Sequence, residues 1–333
     1  MSPHHPTPLK FLMPGWFAIV MGLSGLSLAW LRAQPLMGSA ALAAGLAIGV
    51  VAAVVFITLL VFSVIRMQRY PQALAEDLKH PVRHAFIAAV PISVILLATV
   101  THALDGPHAV ATGLWMLGSI GQFGVTVWVL SRWLKGNKEG GLVWAGITPV
   151  LFIPVVGNVL TPLAGVSLGY PEWSAAQFGV GLFFWPIALT LLLVRMGTLG
   201  MWADRLLPTT FITIAPPTVG GLAALQLGAP VTIGWICWGI GLFFLLWAGS
   251  LTKRILTQPF AITFWAVSFP LASFAALTLR LSPTTGPFTL VAMMALALTS
   301  VVIAGLSIAT YKGLRQGQML MPEPVANIIP ASA

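Results

Sequence analysis

Ten stretches of apolar residues follow one another along the chain, separated by short polar turns: 11–31, 39–65, 85–104, 109–130, 142–168, 174–194, 206–227, 231–251, 260–279 and 288–310. A bilayer's hydrocarbon core is about 30 Å thick and a helix rises about 1.5 Å per residue, so roughly 20 apolar residues cross it. The pattern therefore predicts an all-α integral membrane protein of ten transmembrane helices. An even count places both termini on one side, and charge selects that side. With the N-terminus inside, the cytoplasmic segments hold fourteen basic residues: Lys10, Arg66, Arg69, Lys79, Arg83, Arg132, Lys135, Lys138, Arg195, Arg205, Lys253, Arg254, Lys312 and Arg315. Only Arg32 and Arg280 fall outside. This asymmetry predicts an N-in, C-in orientation. Residues 1–314 then form one transmembrane domain and 315–333 a loosely ordered cytoplasmic tail rich in proline. No small-residue cleavage site follows the first span near Ala33, so that span is expected to stay in the mature protein.

Prolines mark a second order. Pro14, Pro91, Pro149 with Pro154, Pro208 with Pro216 and Pro217, and Pro270 lie in or at the edge of spans one, three, five, seven and nine, whereas Pro186 alone lies inside an even span. A proline withholds a backbone donor and pushes the helix open. Kinked odd helices beside straight even ones predict five helical hairpins repeated around an axis, a quasi-five-fold arrangement about a central pore. Small residues four apart in span two (Ala41, Gly45, Gly49) and three apart in span four (Gly118, Gly121, Gly124) predict close helix packing. The small face of span one, Gly15, Ala18, Gly22 and Gly25, fits packing and a pore lining equally.

Composition sharpens the membrane assignment: 58% of residues are hydrophobic and 7% charged, against about 25% charged in soluble domains. The net charge of +9 is scattered between apolar runs rather than gathered in a stripe, which argues against nucleic acid. The polar loop from Glu76 to Arg83 reads as a solvated, partly helical connector at the inner leaflet. Cys237 is the only cysteine and reads as a core thiol.

The seven carboxylates, Glu76, Asp77, Asp105, Glu139, Glu172, Asp204 and Glu323, all fall in loops, at span edges or in the tail. Carboxylates within spans are the usual equipment of proton and cation coupling, so neither is expected. His4, His5, His80, His84, His102 and His108 flank loops without metal-ligand spacing. No phosphate-cradling loop or nucleophilic triad is present in the sequence, so no enzyme, metal or cofactor is expected. A passage without carboxylates does not attract cations. Exposed amides at broken helix ends and basic residues at the inner mouth would favour anions, discriminated by size and dehydration.

Phe269 stands directly before Pro270, inside a charge-free run from Pro259 to Leu279. The residue before a proline is biased away from helical dihedrals, so its ring could leave the regular helix face and close a lumen by excluding water. The competing reading is a ring that fills space between helices or faces lipid. Gly15, Ala18 and Gly22 are further candidate pore-lining positions, and Pro91, Pro154, Pro217 and Pro270 candidate kink or lining positions.

Five segments, in order, carry a resemblance: Pro14 to Leu23 with Leu26 to Trp30; His80-Pro81-Val82-Arg83; Pro154-Val155-Val156-Gly157-Asn158; Ala215-Pro216-Pro217; and Trp265 to Ser273. Together they resemble the tellurite-resistance/dicarboxylate transporter family, which is related to the plant slow anion channels of guard cells. The likeness runs from about Phe11 to Lys312. It implies a homotrimer of the bacterial inner membrane in which each subunit has its own pore, five inner odd-numbered helices ringed by five outer ones, and Phe269 as the plug. Ala18 falls where the family often has a glycine, which implies a tighter constriction. The function expected is an anion channel or channel-like transporter for small inorganic or organic anions. The alternatives are a secondary carrier or exporter of C4-dicarboxylate, sulfite or tellurite-related oxyanions, and, in another class, a non-transporting membrane scaffold or sensor.

Overall fold

The computed structural model describes residues 8–136 and 141–321. His4, His5, Lys138, Glu139, Glu323 and the last prolines of the tail lie outside them. Among the described residues nine helices are long and apolar enough to cross a membrane: α1 (Pro14–Arg32), α2 (Ser39–Arg69), α3 (Arg83–Asp105), α4 (Ala109–Trp133), α6 (Pro171–Leu199), α7 (Asp204–Gln226), α8 (Val231–Ser250), α9 (Ile262–Leu281) and α10 (Pro287–Arg315). Between α4 and α6 lies a shorter apolar stretch, α5 (Pro149–Gly165), where the sequence predicts a full span. It is built of short pieces, 3-10 at Pro149–Leu151, α at Phe152–Val156, 3-10 at Gly157–Leu160 and α at Pro162–Gly165.

Burial separates odd from even. In α1, α3, α7 and α9 between 67% and 89% of the apolar window is buried, against 17% to 33% in α2, α4, α6, α8 and α10. Neighbours in the bundle run α1–α3–α5–α7–α9, and α9 packs back on α1. Each odd helix also packs against the even helix that follows it. Indole donors tie the two sets together: Trp30 Nε1 donates to Ser300 Oγ (3.1 Å), Trp115 Nε1 to the Thr161 carbonyl (2.9 Å), Trp238 Nε1 to Thr278 Oγ1 (3.0 Å) and Trp265 Nε1 to Thr310 Oγ1 (2.8 Å).

The breaks in the odd helices coincide with changes of helix type. α1, α3, α7 and α9 each begin as 3-10 helix, at Pro14–Phe17, Arg83–Ala88, Asp204–Ile214 and Ile262–Val267, and convert to α at Ala18, Ala89, Ala215 and Ser268. In α5 the same conversion falls at Phe152. Pro91, Pro154, Pro217 and Pro270 are each the third residue of their α segment. There a proline fits, because first-turn amides need no partner within the helix. The first α residue of every odd helix donates its amide to a carbonyl of the preceding 3-10 turn. At each break the tighter winding therefore partners the first of the amides expected to be exposed.

α5 is held by side chains of its neighbours. The Pro154 carbonyl accepts from Gln122 Nε2 (2.9 Å), Thr126 Oγ1 (2.7 Å) and Asn158 Nδ2 (3.2 Å), while Gln177 Nε2 donates to Asn158 Oδ1 (3.0 Å). All four of these side chains are buried. In lipid, irregular backbone is tolerated only where protein satisfies it, and here α4 and α6 do so.

The connector between α2 and α3 also differs from expectation. Residues Pro71–Lys79 form a helix in which Asp77 is buried rather than solvated. Its carboxylate pairs with Arg66 of α2 (2.7 Å) and Arg83 of α3 (3.0 Å). His80 Nδ1 accepts from the Val82 and Arg83 amides (both 3.1 Å). Burial, with the Arg83 charge adding to it, pushes the His80 pKa down to about 4, so the ring stays a neutral acceptor near neutral pH.

Candidate functional site

The N-terminal halves of all five odd helices enclose one cavity of about 740 Å³ of empty space, its open mouth included. α1 contributes Gly15, Ala18 and Met21; α3 Phe86, Ala89 and Ile92; α5 Phe152, Val156 and Leu160; α7 Ile212 and Ala215; α9 Thr263, Phe269 and Pro270. No even helix lines it among the described residues. The first α residue at the conversion point lines it in four of the five helices: Ala18, Ala89, Phe152 and Ala215. Ala18, Ala89 and Ala215 contribute small side chains to the wall, Phe152 and Phe269 aromatic ones.

The walls are apolar. Thr263 and the Trp265 indole are the polar side chains of the lining, and both are already engaged, Thr263 donating to the Arg205 carbonyl (3.1 Å) and Trp265 to Thr310. No carboxylate or cation reaches the cavity among the described residues. A chamber of this kind selects through the cost of stripping water from the solute rather than through a dedicated ligand set.

With Phe152 of α5, Phe269 of α9 stands in the lining as an aromatic ring. Its side chain is 8% exposed and sits on the cavity wall. Behind it stands Gly25 of α1, where an added methyl would come within 3.1 Å of Phe269 Cδ2 and 3.0 Å of Ala272 Cβ. The absent side chain at Gly25 is what lets the ring lie flush against α1. The backbone of Phe269 is α-helical, so its ring joins the cavity wall from a regular helix face. The pre-proline departure from helical dihedrals is not observed, because Pro270 stands in the first α turn.

The small face of α1 divides. Gly15 and Ala18 line the cavity. Gly22 does not: a methyl there would fall 2.2 Å from Ser268 Oγ, so it is a contact point with α9. Pro91, Pro154 and Pro217 also stand off the wall and act at the helix-type conversions, while Pro216, one residue earlier, does face the cavity. Gly45 and Gly49 pack on Ser27, Leu31 and Val100, and Gly118 packs on Pro91 and Ile95, as their spacing predicts; Gly124 meets no neighbour within 4 Å. Gly25 could have been singled out from the sequence only as one more member of that small face.

With this geometry in view, the chain matches the family model SLAC1, voltage-dependent anion channel, over residues 12–311. It is 31% identical to the tellurite resistance protein TehA homolog of Haemophilus influenzae, across 81% of this chain and 80% of that protein. It is 28% identical to an uncharacterized transporter of Methanocaldococcus jannaschii, across 80% of this chain and 83% of that one. It is 27% identical to the S-type anion channel SLAH2 of Arabidopsis thaliana, where the match covers 78% of this chain but half of the plant protein.

Proposed function

The chain belongs to the SLAC1, voltage-dependent anion channel, family, and from that premise we propose that it conducts small inorganic or organic anions through a pore between the odd-numbered helices, closed by Phe269. The observation that carries this reading is the cavity formed by all five odd helices, with Phe269 in its lining. An apolar chamber without carboxylates gives cations nothing to replace their hydration shell. The aromatic ring keeps water out of the narrowest point, and an ion that cannot keep part of its shell does not pass.

The ten-span, five-hairpin arrangement belongs to the same proposal. At about 2 Å per 3-10 residue and 1.5 Å per α residue, α5 reaches roughly 29 Å, close to a full crossing. The ordering of neighbours and the recurrence of the conversion point at residues 18, 89, 152, 215 and 268 support a five-fold repeat. Even helices with apolar outer faces suit lipid and further copies of the chain, in line with a homotrimer of the bacterial inner membrane. The charge asymmetry supports cytoplasmic termini.

Phe269→Ala should raise anion flux into liposomes on the order of tenfold, the effect of removing about 1.4 kcal/mol of barrier. Unchanged flux in a folded variant would remove Phe269 from the gate. A flux that follows an imposed proton gradient would instead identify the secondary carrier of dicarboxylate, sulfite or tellurite-related oxyanions, and no flux at all a scaffold or sensor.

A further inference from the structure

Arg32 and Arg280 stand apart from every other cation of the chain. They end α1 and α9, the two pore helices that pack on each other beside Phe269. Arg280 follows Phe269 by eleven residues, and Arg32 follows Met21 by eleven and Gly25 by seven. At about 100° per residue these steps return to within roughly 20° of the starting face. Both arginines therefore lie on the stripe that carries the cavity wall and the ring, Arg280 about three turns or roughly 16 Å beyond the ring and Arg32 about two turns or roughly 10 Å beyond Gly25, which backs the ring, toward the opposite mouth.

Neither guanidinium has a hydrogen bond or ion pair among the described residues. Arg32 is half-buried in crowded surroundings, and the charge of Arg280 acts directly on it. Asp105 and Glu172, the carboxylates at that end of the bundle, are exposed and pair with neither. The negative ends of two helix dipoles ease the repulsion between like charges but satisfy no donor. A guanidinium offers paired N–H groups matched to two oxygens of one anion.

We infer that Arg32 and Arg280 together form an anion-capture site at the mouth opposite the cavity, taking a small oxyanion from solution and holding it on the pore axis in front of Phe269. The inference rests on the pore reading above and adds to it a site with its own ligand class. The same donors would suit a lipid phosphate, but the helix face they share with the ring points to solution as the source.

The test uses the full chain in a maltoside detergent and in phosphate-free galactolipid bilayers, with sulfate as probe and thermal unfolding as readout. Sulfate should raise the melting temperature of the wild type saturably. Arg32→Gln/Arg280→Gln should weaken that response about tenfold or more, and Arg32→Lys/Arg280→Lys should keep part of it. Equal sulfate responses in wild type and the Gln variant would overturn the site. So would loss of the sulfate response in wild type when phosphatidylglycerol is added, which would assign the donors to lipid. In the Phe269→Ala background, Arg280→Gln should lower sulfate current at low ionic strength, and the difference should vanish at high salt. If Phe269→Ala does not conduct, the pore reading fails while the sulfate titration still decides the site.

Discussion

The inner and outer helices of this bundle overlap in hydropathy yet do opposite things. α4 is no more hydrophobic than α1, and α8 no more than α3, but the first of each pair faces outward and the second is packed inside. What distinguishes them is backbone regularity. Outer helices run as uninterrupted α-helix, α2 for 31 residues and α6 and α10 for 29 each. Inner helices open with 3-10 turns, and four of the five place proline at the conversion. A lipid-facing helix has no neighbour to satisfy an irregular turn, whereas an inner helix has several. In a protein whose solvent is lipid, irregularity rather than hydrophobicity marks the inside, and it marks the elements that enclose the cavity.

Glycines draw the same contrast. Gly113, Gly124, Gly179, Gly197, Gly239, Gly249 and Gly305, on even helices, would meet nothing within 4 Å if given a side chain, whereas Gly45, Gly49, Gly118, Gly181, Gly234 and Gly241, on the inward sides of even helices, are crowded. Gly22 and Gly25 on α1 would collide with α9, and Gly157 and Gly165 on α5 with Gln122, Ser174 and Trp115. On the inside glycine sets the distance between backbones.

The strongest way to break the contrast is to cut the link between the two sets. Asp77 joins the end of outer α2 to the start of inner α3 through Arg66 and Arg83. Asp77→Asn leaves the buried Arg66 without its counter-charge and should cost about 3 kcal/mol or more, read as a lower melting temperature in detergent. A variant as stable as the wild type would show that the link carries no energy. Next in size, Gly22→Ala should cost about 1–3 kcal/mol by overpacking α1 against Ser268. The same change on the outside, Gly305→Ala, should be neutral or stabilising by up to about 1 kcal/mol, from better helix propensity alone. Equal effects at the two glycines would erase the distinction.

Much of this organisation was legible in the residues. The alternation of apolar runs and turns located nine of the helices, and proline placement separated odd from even. α5 carried its warning in Pro149, Pro154 and Gly157, yet nothing local shows that Gln122 and Gln177 supply its hydrogen bonds from other helices. Asp77 read as solvated because its partner Arg66 lies eleven residues away across a turn. Pro217 and Pro216 differ by one residue, about 100° of helix rotation, so sequence alone could not decide which one faces the cavity. Phe269 was singled out through its proline and does line the cavity, although the reason offered, a non-helical backbone, is not observed.

The central claim is that the odd helices surround a conduit and that Phe269 divides it. Side-directed thiol labelling tests it most directly. Ala215→Cys, in the cavity wall, would be introduced with Cys237→Ser and exposed to a charged, membrane-impermeant thiol reagent from each face of reconstituted vesicles in turn. The account predicts labelling only from the face onto which the cavity opens while Phe269 is present, and labelling from both faces once Phe269→Ala is added. Labelling from both faces with Phe269 intact, or from neither after its removal, would contradict it.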